Sequence, residues 1–259
     1  MSIDNRHLLG LALRAAHEAS QQILEIYGTN FDVRVKDDRT PVTLADERAE
    51  AAILALLAAE APGIPVVAEE QTAAQGISLP PAPRFWLVDP LDGTREFLKR
   101  NGEFTVNIAL IEGTRPVLGV VHLPVTGVTY AACGPGTATH QDPGGAPRPI
   151  TARPAPATGA VVAHSRSHAD EASLAAYVAT HPGARRLVTG SSAKFCLLAS
   201  GEADFYPRFG TTMEWDTAAG QAVLEAAGGA VLTLDGTPLA YAKPDYRNPH
   251  FIARGRTGS

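Results

Sequence analysis

Trp86-Leu87-Val88-Asp89-Pro90-Leu91-Asp92-Gly93-Thr94 reads as a buried strand that ends in a pair of acids. With Phe85 before it, the apolar run is continuous, as in a strand covered on both faces. Pro90 fixes its own φ and biases Asp89 toward an extended shape, while Gly93 permits a tight bend. The two carboxylates then converge at the C-terminal end of the strand, where α/β proteins place ligands. Gly93-Thr94 also reads as the start of a helix whose backbone N–H groups can receive a phosphate. Asp, Pro and Gly are ordinary turn residues too, so this stretch alone leaves a surface turn open.

Two other stretches tell against a mere turn. Upstream, Val66-Val67-Ala68-Glu69-Glu70 ends a second apolar run in paired acids. Downstream, Glu214-Trp215-Asp216-Thr217-Ala218-Ala219-Gly220 sets an aspartate at the head of an alanine-rich helix. Acids delivered by three element ends suit a hard divalent cation, since Mg²⁺ takes carboxylate and carbonyl oxygens plus water.

Around these stretches the pattern predicts a helix over residues 3–27, with Leu9, Leu13, Ala16, Ile23 and Tyr27 at helical spacings and Gly28 as a stop. A second helix is expected from residue 41 or 42 to 59, and an edge strand over 31–36 between them. Residues 105–111, 117–123 and 127–132 read as a strand meander. Residues 134–160 are rich in proline and glycine and read as a long surface loop or linker, which places a domain boundary near residue 155. Residues 1–154 then form an α+β half. In residues 155–259, strand-like runs (159–163, 203–206, 230–234) alternate with helix-like ones (169–180, 193–199, 216–227), as in an α/β half.

Composition narrows the function. The 259 residues carry 22 basic and 27 acidic side chains, a net charge of −5, which excludes binding a nucleic-acid polymer through a generally basic surface. Cys133 and Cys196 are too few for a disulfide framework. No apolar run reaches membrane-spanning length, and the N-terminus has no leader pattern, so a cytoplasmic enzyme or binding protein is expected.

Glu69-Glu70, Asp89-Pro90-Leu91-Asp92-Gly93-Thr94 and Trp215-Asp216-Thr217-Ala218-Ala219-Gly220 resemble, in order and spacing, the three motifs of the inositol monophosphatase superfamily of lithium-sensitive, magnesium-dependent phosphatases. The run from Arg95 to Leu110, Ser165-Arg166-Ser167-His168-Ala169-Asp170, Gly190-Ser191-Ser192-Ala193-Lys194-Phe195-Cys196 and Tyr206-Pro207-Arg208-Phe209-Gly210 resemble its CysQ-type 3′(2′),5′-bisphosphate nucleotidase branch. Arg95 departs from the lysine usual there.

The resemblance implies a layered αβαβα sandwich of the inositol monophosphatase and sugar phosphatase type. It implies two Mg²⁺ ions: one on Glu69, Asp89 and the Leu91 carbonyl, the other on Asp89, Asp92 and Asp216, with a third, weaker one near Glu69. Thr94, supported by Asp46, would accept the attacking water's proton indirectly or orient that water, and Glu69 would share in catalysis. Asp92, Gly93, Thr94, His168, Ser191, Lys194 and Asp216 would hold a small nucleotide bisphosphate, with Arg166 and Arg208 as further candidates. A cytoplasmic location follows, with a peripheral seat on the inner face of the cell membrane left open, as is the oligomeric state.

Some of these residues have a second reading. Thr43-Leu44-Ala45-Asp46 has the pattern of a helix capping box, so Asp46 fits a structural role as well. Gly190 to Lys194 fits an ordinary N-capped helix as well as a phosphate loop. Lys36 fits either a loop facing the metals or a solvated turn.

Overall fold

The computed structural model describes residues 4–30, 33–35, 41–77, 82–166 and 170–257. The chain opens with α1 (Asn5–Tyr27), a short hairpin of β1 (Val33–Val35) and β2 (Pro41–Thr43), and α2 (Leu44–Glu60). There follow β3 (Val66–Ala68), α3 (Glu69–Gln75), β4 (Arg84–Asp92) and α4 (Thr94–Leu98). A meander then runs through β5 (Thr105–Glu112), β6 (Arg115–Leu123), β7 (Val128–Cys133), β8 (Thr139–Gln141) and β9 (Arg148–Pro149). The remaining chain forms β10 (Val161–Ser165), α5 (Glu171–Ala179), β11 (Arg185–Thr189), α6 (Ala193–Ala199), β12 (Phe205–Arg208), α7 (Ala218–Ala226), β13 (Ala230–Thr233) and β14 (Phe251–Arg254).

Strands β3 to β9 make a seven-stranded sheet in sequence order, parallel only at β3–β4. A five-stranded sheet has the order β11-β10-β12-β14-β13, with β10 parallel to β11 and β12, and β14 antiparallel to its neighbours. The proline- and glycine-rich stretch differs from its expected form. It contributes β8 and β9, which extend the first sheet. Short strands such as these at a sheet edge tolerate proline, which cannot serve a central ladder.

Period-two alternation sorts each central strand onto two cores. Trp86 and Val88 face α1 and α2, together with Val106, Ile108, Leu110, Leu118 and Val120. Phe85 and Leu87 face the opposite way, into a core shared with Phe195 and Leu198 of α6, Val223 of α7, and Val161, Tyr206 and Phe251 of the second sheet. On that sheet's outer side, Tyr177 of α5 packs edge-on against Phe205 at 6.1 Å. The layers are therefore α1/α2, the seven-stranded sheet, α6/α7, the five-stranded sheet and α5: an αβαβα sandwich. Gly119 lets the central layer close up, because a Cβ there would lie 2.4 Å from the Ala219 carbonyl oxygen in α7.

Candidate active site

The acids at the end of β4 owe their convergence to one irregularity of register. Asp89 pairs with Asn107 and Asp92 with Thr105, so three steps along β4 match two along β5. In a flat ladder, residues three apart point to opposite faces; one extra residue restores them to the same face. Leu91 confirms the flip, since it packs with Val88 in the α1/α2 core rather than with Leu87. Asp89 and Asp92 thus both look toward the α6/α7 layer. Gly93, at φ +100°, then turns the chain into α4.

Glu69 arrives beside them by alternation. In the parallel β3–β4 pair Ala68 sits opposite Val88, so the next residue, Glu69, draws level with Asp89. Glu69 opens α3, and the buried Glu50 of α2 caps that helix, accepting the N–H groups of Glu70 and Gln71 at 2.7 Å each. Asp216 comes from the segment before α7. Its Oδ2 accepts the Met213 N–H at 2.9 Å. Asn248 Nδ2 pins that segment by donating to the Met213 carbonyl at 2.7 Å and to Thr217 Oγ1 at 3.0 Å.

A cavity of about 590 Å³ opens between the two halves, lined by Glu69, Asp89, Leu91, Asp92, Gly93, Thr94, Ser191, Lys194, Arg208 and Asp216 among others. The structure therefore brings together nearly all of the expected site. Asp46 stands behind the lining, where it closes the helix cap and also touches Thr94. Its Oδ2 accepts the Thr43 N–H and hydroxyl at 2.8 Å each, closing the capping box, and its Oδ1 lies 3.4 Å from the Thr94 hydroxyl. His168 and Lys36 lie outside the described residues.

Burial and mutual repulsion dominate the electrostatics. Asp89, only 1% exposed, is pushed well above the usual carboxylate range by burial, then by Glu69, Asp92 and Asp216. Asp216 is raised likewise by burial, Asp92 and Glu69. Asp92 is raised by burial against the pull of Lys194 and the Ser192 hydroxyl. Oxygen donors that raise one another across one cavity are the complement of a hard divalent cation. Among the described residues no three His, Cys, Asp or Glu side chains stand in a closed metal-holding arrangement. One oxygen of each inner aspartate is held instead by a neighbour: Asp89 by the Leu91 N–H, Asp92 by Ser192 and Asp216 by Met213.

A profile of the inositol monophosphatase family matches residues 4–256. The chain belongs to the inositol monophosphatase family. It is 45% identical over 254 residues to the 3′(2′),5′-bisphosphate nucleotidase CysQ of Shigella flexneri, covering 94% of this chain and 98% of that protein. The CysQ of Escherichia coli K12 is 44% identical over the same span. Among solved structures, CysQ from Bacteroides thetaiotaomicron, a bacterial member of the family, superposes with a TM-score of 0.81 at 37% identity, covering 97% of this chain and 98% of its own.

Within this family member two cations reach the same cavity as the acids. Lys194, 3% exposed, donates to the Thr189 and Ser191 carbonyls and lies 5.1 Å from the Tyr206 ring centroid. Burial lowers its pKa to about 8, against the attraction of Asp92. Arg208 reaches the same cavity and donates to the Thr211 carbonyl at 3.0 Å. Arg166 does not line it. That guanidinium grips Glu103 with two bonds, of 2.7 and 2.9 Å, and Glu103 also accepts the Gly190 N–H at 2.9 Å.

Proposed function

We propose that this chain is a Mg²⁺-dependent phosphomonoesterase that hydrolyses the 3′-phosphate of 3′-phosphoadenosine 5′-phosphate, giving AMP and inorganic phosphate. The observation that carries this reading is the cavity itself, which gathers the acids Glu69, Asp89, Asp92 and Asp216 and the cations Lys194 and Arg208, with the Asp46–Thr94 pair at its edge. Its volume of about 590 Å³ is that of a small-molecule site. The name borne by relatives 45% identical to this chain supports the same substrate class.

Glu69, Asp89 and the Leu91 carbonyl would hold one Mg²⁺, and Asp89, Asp92 and Asp216 a second; Glu69 would be shared with a third, weaker ion. When bound, such ions supply Lewis-acid stabilisation of the phosphoryl oxygens and make water a better nucleophile at neutral pH. The chain's own residues do the rest. Thr94 gives its proton toward Asp46 Oδ1, which leaves a hydroxyl lone pair to orient the attacking water. Asp46 holds its angle because its other oxygen is fixed by Thr43. Water oxygen bonds to phosphorus as the bond to the ribose 3′-oxygen breaks, and one of the water's two protons ends on that oxygen, giving the 3′-hydroxyl of AMP and hydrogen phosphate. Lys194, Ser191 and Arg208, with His168, hold the second phosphate and the nucleoside, and Gly93 with Asp92, Thr94 and Asp216 borders the reacting one.

Residues 1–154 thus supply most of the metal ligands, and residues 155–259 supply Asp216 and the nucleotide-holding segments. Among the described residues no helix is long and apolar enough to cross a membrane, and we place the enzyme in the cytoplasm. Phosphate release from 3′-phosphoadenosine 5′-phosphate, its sulfated analogue, inositol monophosphate and fructose 1,6-bisphosphate, each with and without millimolar Mg²⁺, tests the reading. The highest kcat/KM is expected for a nucleotide, with inhibition by millimolar Li⁺. A preference for either sugar phosphate, or activity without Mg²⁺, would overturn it.

A further inference from the structure

Ser192 is the point at which three segments of the cavity meet. Its Oγ lies 2.7 Å from Asp92 Oδ2 and 2.6 Å from the Asp216 carbonyl oxygen, and receives the Asn107 amide at 2.9 Å. One hydroxyl proton faces two acceptors, and the amide supplies the donor that fixes the oxygen between them. Ser192 is 2% exposed and Asn107 1%, so water does not replace these bonds.

Asn107 is oriented for this cluster and for nothing else. Its Nδ2 faces Ser192 and, at 3.4 Å, Asp92, while its Oδ1 is buried without a hydrogen-bond partner. An orphaned buried acceptor costs about 1–3 kcal/mol, and here it accompanies an amide nitrogen turned to Ser192 and Asp92. Asn107 also sits directly across from Asp89, beside the register shift that turns Asp92 inward. Ser191, the residue before Ser192, is held at φ +50°, a backbone region costly for a side chain other than glycine. Neighbouring contacts therefore hold the Ser192 hydroxyl where Asp92 needs it.

We infer that Ser192, braced by Asn107, is the positioning residue of Asp92: it fixes one carboxylate oxygen and leaves the other to a cation. The same hydroxyl ties Asp92 to the backbone of Asp216, so two acids from different halves of the chain keep a common spacing. This rests on the reading of Asp92 and Asp216 as Mg²⁺ ligands. Partners that orient a metal ligand typically change metal affinity or activity 10- to 100-fold when removed.

The test is calorimetric titration of Mg²⁺ into the nucleotide-free protein, for the wild type, Ser192→Ala, Asn107→Ala and the double variant, with thermal unfolding alongside. Each single variant is expected to weaken Mg²⁺ binding about 10- to 100-fold. The double variant should lose clearly less than the sum of the two single losses, because Asn107 acts mainly through the Ser192 hydroxyl and only at 3.4 Å on Asp92 directly. The Mg²⁺ concentration for half-maximal activity should rise in step. Wild-type Mg²⁺ affinity in Ser192→Ala, with only a lowered melting temperature, overturns the inference and leaves the phosphatase reading standing. Fully additive losses overturn it too. A wild-type protein that binds no Mg²⁺ overturns both.

Discussion

The two walls of the cavity carry opposite charge and are built by opposite means. The acidic wall is a consequence of backbone: parallel pairing sets Glu69 beside Asp89, and one extra residue in β4 turns Asp92 to join them. The cationic wall is a matter of side chains reaching back to the main chain, with Lys194 on the Thr189 and Ser191 carbonyls and Arg208 on that of Thr211. Both walls hold charges shifted against their ionised forms, Asp89 upward and Lys194 downward, because each is buried. Each wall is therefore costly alone, and a cation on one with a phosphate on the other would relieve both.

The difference is open to attack from the acidic side first. Asp89→Asn removes a donor that two cations would share while keeping shape and volume. Activity should fall by about 10³-fold or more, the scale of losing a group that stabilises charge in the transition state. In Mg²⁺-free buffer at pH 7 the same variant should unfold at a higher temperature than the wild type, since it removes a buried carboxylate crowded by three others. Retention of a tenth of wild-type kcat, or a lower melting temperature, would show that Asp89 is not the shared acid.

Replacing the opposite wall should act on binding instead. Lys194→Met keeps the aliphatic stem over Tyr206 but drops the charge, so KM for the nucleotide should rise about 10- to 100-fold with kcat changed far less. Lys194→Arg should not rescue it, because a guanidinium has no room where the ammonium is enclosed by two carbonyls and a ring. A fall in kcat with KM unchanged would move Lys194 from holding substrate to the chemistry.

Legibility in the sequence follows the same division. Buried strands, the three acidic element ends and the long first helix carry local signals, so the meeting of Glu69, Asp89, Asp92 and Asp216 in one cavity was legible in the sequence. The lysine loop was readable only as a likeness. Its alternative reading as an N-capped helix is not realised, since Ser192 makes no side-chain cap on α6 and spends its hydroxyl across the cavity. The bracing residues were not readable, because their partners lie far away in sequence: Ser192 is 100 residues from Asp92 and Glu103 is 63 from Arg166. Glu50 went unread, although it sits four residues after Asp46 and so shares its face of α2, the one available signal that the two acids point the same way. Arg166 shows the converse: a plausible phosphate ligand by position, spent instead on Glu103.

A buried titratable group away from both walls gives the smallest effect and the cleanest control. His122 of β6 is enclosed against α1, where its ring meets His17 edge-on at 6.2 Å and its Nδ1 lies 2.8 Å from the Thr129 hydroxyl. Burial first, and His17 second, lower its pKa from 6.5 to about 4. Between those two values the unfolded chain takes up a proton that the folded chain refuses, so stability falls as pH drops through that window and is fully present above it. The loss between pH 7 and pH 5 should be about 2 kcal/mol for this one group. His122→Asn keeps a polar partner for Thr129 and cannot titrate, so urea unfolding at the two pH values should show a loss smaller by that amount. The acids of the cavity titrate alike in both proteins and cancel in the difference. If the variant loses as much stability on acidification as the wild type, His122 takes up its proton in the fold as readily as in the unfolded chain, and burial there does not carry the cost it carries at Asp89 and Lys194.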